Sequence, residues 1–189
     1  MTWWRERSVS AESLTTLPNL LTLSRLGLSV ILFALIASEQ WLAALGVLVL
    51  AALSDWLDGY LARVLNAGSA LGRMLDPLVD KVLVTGAFIF LLPVGLREGW
   101  LAPWMVALIT AREFLITGLR AHLEARGISF GADSLGKLKM VTQCATLVAA
   151  LVAPLLPMVN PLRDALLWTM LAVTVASGTQ YIVRAMRLS

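Results

Sequence analysis

The chain has one cysteine, one histidine and few charges. Cys144 alone allows no intramolecular disulfide and leaves the redox compartment undetermined. It lies in an apolar run and is expected to pack there. His122 sits beside a polar loop with no evident partner and is expected at the surface. Charged residues make up 14% of the chain and hydrophobic ones 59%, with a mean hydropathy of +0.82. A soluble domain is about half apolar and about a quarter charged, so this scarcity of charge excludes one. Arg5, Glu6 and Arg7 precede the first apolar run, but no small-residue cleavage site follows it. That absence argues against a cleaved signal peptide and for a retained helix. No low-complexity stretch or internal repeat stands out.

What is present is a series of long apolar segments. They cover about Leu20 to Ser38, Trp41 to Arg63, Pro77 to Leu96, Leu101 to Leu123, Lys137 to Leu156 and Pro161 to Met186. Each approaches the ~20 residues that cross ~30 Å of hydrocarbon. Backbone groups in lipid must be satisfied within their own segment, so each is expected to be helical. The expected architecture is all-α and polytopic, with six transmembrane helices. Residues 1–18 would form an interfacial segment and 19–189 the membrane domain.

Lys and Arg placement sets the orientation. With six spans, both termini and the second and fourth loops share a side. Of the fifteen Lys and Arg residues only Arg97 and Arg163 fall on the other side. Both termini are therefore expected in the cytoplasm. Trp41, Trp100, Trp104 and Trp168 gather toward the outer interface, as an aromatic belt would.

The densest chemistry lies in Asp55 to Asp80, DWLDGYLARVLNAGSALGRMLDPLVD. On a helix, Asp55, Asp58, Gly59, Ala62 and Arg63 fall at i, i+3, i+4, i+7 and i+8 and share one face. Gly72, Asp76 and Asp80 stack at i, i+4 and i+8 on a second helix. Carboxylates so close repel one another unless neutralised, so two such pairs facing a common space suit divalent cations. The glycines leave room for a ligand to lie against the backbone.

Written as D-x2-D-G-x2-A-R-x8-G-x3-D-x3-D, this stretch resembles the signature of the CDP-alcohol phosphotransferase family at every fixed position. Within that family the chain is most similar to the phosphatidylglycerol-phosphate synthases. The likeness extends to Pro18 through Arg25, to the Leu75-Asp76-Pro77 and Asp80-Lys81 context, to Thr110 through Arg120, and to Gly136 through Gln143. It implies a six-helix enzyme, usually a homodimer, in the cytoplasmic (inner) membrane of a bacterium, with its active site facing the cytoplasm. The implied reaction moves the phosphatidyl group of CDP-diacylglycerol to sn-glycerol 3-phosphate, releasing CMP and leaving phosphatidylglycerol phosphate in the bilayer. Membrane lipids are the expected surroundings, and no nucleic-acid partner is expected.

Carried over by resemblance, Asp55, Asp58 and Asp76 are metal ligands, and Asp80 either shares a metal or acts as general base. An all-oxygen set points to Mg²⁺ or Mn²⁺, and phosphoryl transfer of this type to a pair of ions. Gly59, Ala62, Arg63 and Gly72 line the nucleotide pocket. Asn19, Thr22 and Arg25, at i, i+3 and i+6, form a second strip toward the donor, unless Arg25 only snorkels. Arg112 lies well inside the fourth span, where charge is costly and usually functional. With Arg120, Lys137 and Lys139 it could hold the acceptor's phosphate; a pair with Glu113 is the structural alternative. Rival readings keep the donor and change the acceptor, to inositol phosphate, serine or phosphatidylglycerol. A divalent-cation transporter is the reading from a different class.

Overall fold

The computed structural model describes residues 17–65, 70–126 and 134–186; within these, the side chains of 17–23, 55–65, 70–78, 80, 124 and 134 are not described. Among the described residues the fold is all-helical: α1 (Leu17–Ala37), α2 (Trp41–Leu65), α3 (Ala70–Glu98), α4 (Pro103–Ala125), α5 (Ser134–Val152) and α6 (Asn160–Met186). Helix α1 packs on α2 and α3, α5 on α6 and α2, and α4 on α6 and α3. Among the described residues two stretches are long and apolar enough to cross a membrane, Leu135–Val152 and Pro157–Met186, each with a mean hydropathy of 1.4. Leu32, Ile36, Leu83, Phe88, Ile109 and Leu151 form part of a core shared by several helices. Val30, Leu42, Phe114 and Val141 instead point outward, each more than half exposed, as suits a surface facing lipid.

The helix limits differ from the apolar runs where proline intervenes. Proline lacks the N–H that continues a helix. Helix α5 therefore stops at Val152, short of Leu156, and Pro154 leads into a turn and a short 3-10 helix at Pro157–Val159. Pro18 sits in the first turn of α1, where a missing donor costs little. Helix α3 begins at Ala70 rather than near Pro77 and runs through that proline. Cys144, expected to pack, is exposed on α5.

Two tight turns close one end of the bundle. After α1, Glu39 adopts φ +56°, and its N–H and that of Gln40 donate to the Ile36 and Leu35 carbonyls. This is a Schellman cap with a glutamate in the position usually held by glycine. The Arg97 guanidinium grips that carboxylate through both oxygens, at 2.8 and 3.0 Å. After α3, Gly99 takes φ +78°, and Trp100 N–H reaches back to the Gly95 carbonyl at 3.0 Å. Arg163 at the start of α6 lies 4.5 Å over the Trp100 ring and pairs with Glu98 and Asp164. Trp104 and Trp168 meet nearby with ring centres 6.3 Å apart. Of the tryptophans expected at one interface, Trp100 thus meets Arg163 and Trp104 meets Trp168.

Two predictions follow from these turns. A Cβ added at Gly95 would stand 2.3 Å from Leu101 Cβ and 3.3 Å from its Cα. Relief requires the turn itself to move, so Gly95→Ala is expected to cost about 1–3 kcal/mol in unfolding in detergent. The Arg97 hydrogen bond holds Glu39 below its ordinary value of 4.5. A lowered carboxylate pKa stabilises above the ordinary value and loses its effect as pH falls through the lowered one. The difference in Tm between the wild type and Glu39→Gln should therefore be constant across neutral pH and close only in acid.

Candidate functional site

Helix α2 runs unbroken through Asp55, Asp58, Gly59, Ala62 and Arg63, and α3 through Gly72, Asp76 and Asp80. The helical backbone on which their shared faces depend is therefore present. The side chains of these residues, and those of Asn19 and Thr22, lie outside the described residues. Among the described residues no group of three or more His, Cys, Asp or Glu gathers. The acidic stretch is where the sequence supplies one, as two carboxylate pairs each about one turn apart. That hard-oxygen donor set fits a divalent cation.

One residue beyond Asp80 the described site begins. Lys81 and Thr85, one turn apart on α3, face Lys139 and Gln143, one turn apart on α5, with Glu113 of α4 completing the wall. Together with Val84 and Met140 they enclose a cavity of about 170 Å³. The Thr85 hydroxyl donates to the Lys81 carbonyl. Thr117 and Thr142 likewise satisfy their hydroxyls on the Glu113 and Lys139 carbonyls, at 2.7 and 2.9 Å. Such back-bonding lets a hydroxyl sit in apolar surroundings without an outside partner. The Gln143 side chain, only 1% exposed, has no such outlet, and its Nε2 has no hydrogen-bond partner.

Glu113 is the hinge of the electrostatics. Its Oε1 accepts from Lys139 Nζ and from Arg112 Nη1 at 3.2 Å. Lys139 and Glu113 are 3% and 5% exposed. A charge buried to this degree requires a paired opposite charge. Arg112 also donates to Ser177 Oγ of α6 at 3.0 Å, and Arg120 donates to the Tyr181 hydroxyl at 3.1 Å. Both guanidinium groups lie within 6 Å of the Tyr181 ring centre, at 5.8 and 5.9 Å, inside cation–π range. Gly178 lies against this group, where an added Cβ would meet Arg112 Cγ at 3.4 Å, an ordinary contact.

The structure thus joins three of the four residues expected to hold the acceptor phosphate, Arg112, Arg120 and Lys139, through Glu113 and α6. Lys137 stands exposed on α5, apart from the cavity wall, and His122 is also exposed. Arg25, on the donor side, is buried to 2% exposure rather than extended to the surface.

A model for CDP-alcohol phosphatidyltransferase matches residues 15–176. The chain belongs to that family. It is 37% identical to the CDP-diacylglycerol–glycerol-3-phosphate 3-phosphatidyltransferase of Bacillus subtilis (strain 168), over 87% of this chain and 92% of that one. The enzyme of the same description from Rickettsia bellii (strain RML369-C) is 33% identical over the same shares. Among solved structures, Mycobacterium tuberculosis phosphatidylinositol phosphate synthase with CDP-DAG bound superposes with a TM-score of 0.68. That likeness covers 91% of this chain and 87% of the other at 21% identity, and it shows the fold.

For a CDP-alcohol phosphatidyltransferase, α6 contributes more than its sequence announces. Ser177 and Tyr181 stand one turn apart on it and reach both α4 arginines, yet no motif marks them. Lys81 and Gln143 lie inside segments that carry the family resemblance, which gives neither of them a role. Breaking a buried ion pair from one side costs about 3–5 kcal/mol, whereas replacing both partners by apolar groups often costs far less. Glu113→Leu is therefore expected to lose about that much in unfolding in detergent, and adding Lys139→Met to recover a substantial part of it.

Proposed function

We propose that the protein transfers the phosphatidyl group of CDP-diacylglycerol to sn-glycerol 3-phosphate. The observation that supports the acceptor assignment is the pair of cations Arg112 and Lys139, which share one described carboxylate, Glu113, beside a cavity lined by Lys81, Glu113 and Lys139. Two cations on that one carboxylate leave a positive charge suited to an incoming phosphate. The names of the relatives support the same donor and acceptor.

In this reading Asp80 takes the proton from the acceptor's primary hydroxyl as that oxygen attacks the donor's lipid-side phosphorus. The phosphorus–oxygen bond to CMP breaks, and the phosphate carried by the acceptor is retained. Asp55, Asp58 and Asp76, with Asp80 sharing an ion or serving only as base, would hold Mg²⁺ or Mn²⁺, whose charge would offset that developing on the diphosphate. Arg25 and Arg63 pair with donor phosphate oxygens, and Asn19 and Thr22 line the same strip. Gly59, Ala62 and Gly72 keep side chains out of the cytidine's path. Arg112, Arg120, Lys137 and Lys139 receive the acceptor's phosphate, Lys137 from the exposed rim.

The placement belongs to the same proposal: six spans in the inner membrane, both termini cytoplasmic, the protein a homodimer. The donor's acyl chains then remain in the bilayer while the water-soluble acceptor and metal enter from the cytoplasm.

Purified protein given CDP-diacylglycerol, Mg²⁺ and radiolabelled glycerol 3-phosphate should place the label in lipid. Asp76→Asn should abolish this labelling, and excess inositol phosphate should leave it unchanged. CMP release without labelled lipid, or competition by inositol phosphate, would overturn the acceptor assignment.

A further inference from the structure

We infer that Gln143 is a specificity-determining residue whose amide donates to a hydroxyl of the acceptor's carbon chain; this rests on the acceptor reading above. Its side chain is 1% exposed and stands in the wall of the cavity between α3, α4 and α5, its buried Nε2 lacks a partner, and a turn of the amide toward the cavity would give it one. A buried donor without a partner is destabilising, so it persists where something else completes it. The cavity is about 170 Å³; at ~30 Å³ per water in the liquid this is room for about five waters, or a short polyol.

The wall has two chemistries. Lys81, Lys139 and Glu113 supply charge, whereas Gln143, one turn along α5 from Lys139, is neutral and shares the wall with Val84 and Met140. The charged part suits a phosphate. The neutral part suits a hydroxylated carbon skeleton, which offers an oxygen to accept from an amide but no charge to offset. In glycerol 3-phosphate the primary hydroxyl is the nucleophile, and the C2 hydroxyl remains for Gln143. A site built to bind a hydroxyl discriminates against the analogue lacking it, because its own polar group is then left unpaired.

The experiment compares the wild type with Gln143→Met and Gln143→Leu, both apolar and of similar size. Each is assayed with glycerol 3-phosphate and with propane-1,3-diol monophosphate, which keeps the attacking hydroxyl and lacks the C2 hydroxyl. The expected result is a rise of about 3- to 10-fold in KM for glycerol 3-phosphate, the size of one hydrogen bond. KM for CDP-diacylglycerol should stay within about twofold, and the preference for glycerol 3-phosphate over the diol phosphate should shrink by the same factor. Tm should be unchanged or raised, because an unpartnered polar group has been removed; a merely structural glutamine would not combine a raised KM with a retained Tm. An unchanged KM would mean that the amide binds only water, and would overturn the inference. So would a parallel rise in both KM values with a lowered Tm, the mark of disturbed packing. If the wild type transfers to inositol phosphate and not to glycerol 3-phosphate, the acceptor reading fails by itself. The same variants are then compared by KM for inositol phosphate, where an unchanged value overturns the role of Gln143.

Discussion

A carboxylate buried between two cations organises the polar half of this bundle. Glu113 is 5% exposed, and in such surroundings an ion without a partner is far more costly than at a surface. Lys139 from α5 and Arg112 from α4 itself meet that requirement. Because the carboxylate is shared, neither cation is fully neutralised, and Arg112 turns its other donors toward α6. Ser177 and Tyr181 receive it there, and Tyr181 also receives Arg120. Four side chains from two helices thus depend on how a third helix places one lysine. The apolar cluster of Ile116, Leu123, Tyr181 and Ala185 fixes the α4–α6 contact that makes this geometry repeatable.

The opposite end of the bundle solves the same problem with different chemistry. Arg163 is also buried, but it is held by an indole face and by two carboxylates, Glu98 and Asp164, that remain partly in solvent. Those contacts join the start of α6 to the turn between α3 and α4. The connections at this end are short, which leaves helix length to be spent at the other. Helix α3 has 29 residues, about 43 Å at ~1.5 Å per residue, against a hydrocarbon thickness of ~30 Å. Its first turns carry Gly72, Asp76 and Asp80 on one continuous helix.

How much of this was legible in the sequence depends on which physical signal carried it. The helices were legible because apolar runs of about twenty residues have one sensible backbone solution. Their ends were less so: Pro154 and Pro157 cut α5 short although the composition around them stays apolar. The acidic stretch was read from helical spacing together with the family signature, and the continuous helical backbone that its shared faces require is present in α2 and α3. Inward and outward faces were not. Cys144 and Gln143 are adjacent in one apolar run, yet one is exposed and the other enclosed, because a helix apolar on all sides carries no amphipathic pattern to orient it. The pairing of Arg112 with Glu113 could be guessed from adjacency. Its sharing with Lys139, and the reach of Tyr181 to two arginines, depend on the rotation of three helices about their axes, which no spacing encodes.

Charge accounting connects the fold to the proposed acceptor. Beside the cavity, Arg112 and Lys139 share one described carboxylate, Glu113, while Arg120 meets the hydroxyl and ring of Tyr181. Like charges held this close repel, and the cost grows as water is displaced by a substrate. A neutral alcohol entering the cavity would remove water and bring no compensating charge, and a zwitterion such as serine would add a further cation. In the proposed reading a phosphomonoester brings a second negative charge to Arg112 and Lys139, which share Glu113 among the described carboxylates. In the proposed reaction the same phosphate remains on the product, while the negative charge that grows on the departing CMP is met by the metals and arginines of the donor side. In that reading two anionic groups occupy one small site because each meets its own cations, Arg25, Arg63 and the metals for the donor, and Arg112, Arg120, Lys137 and Lys139 for the acceptor.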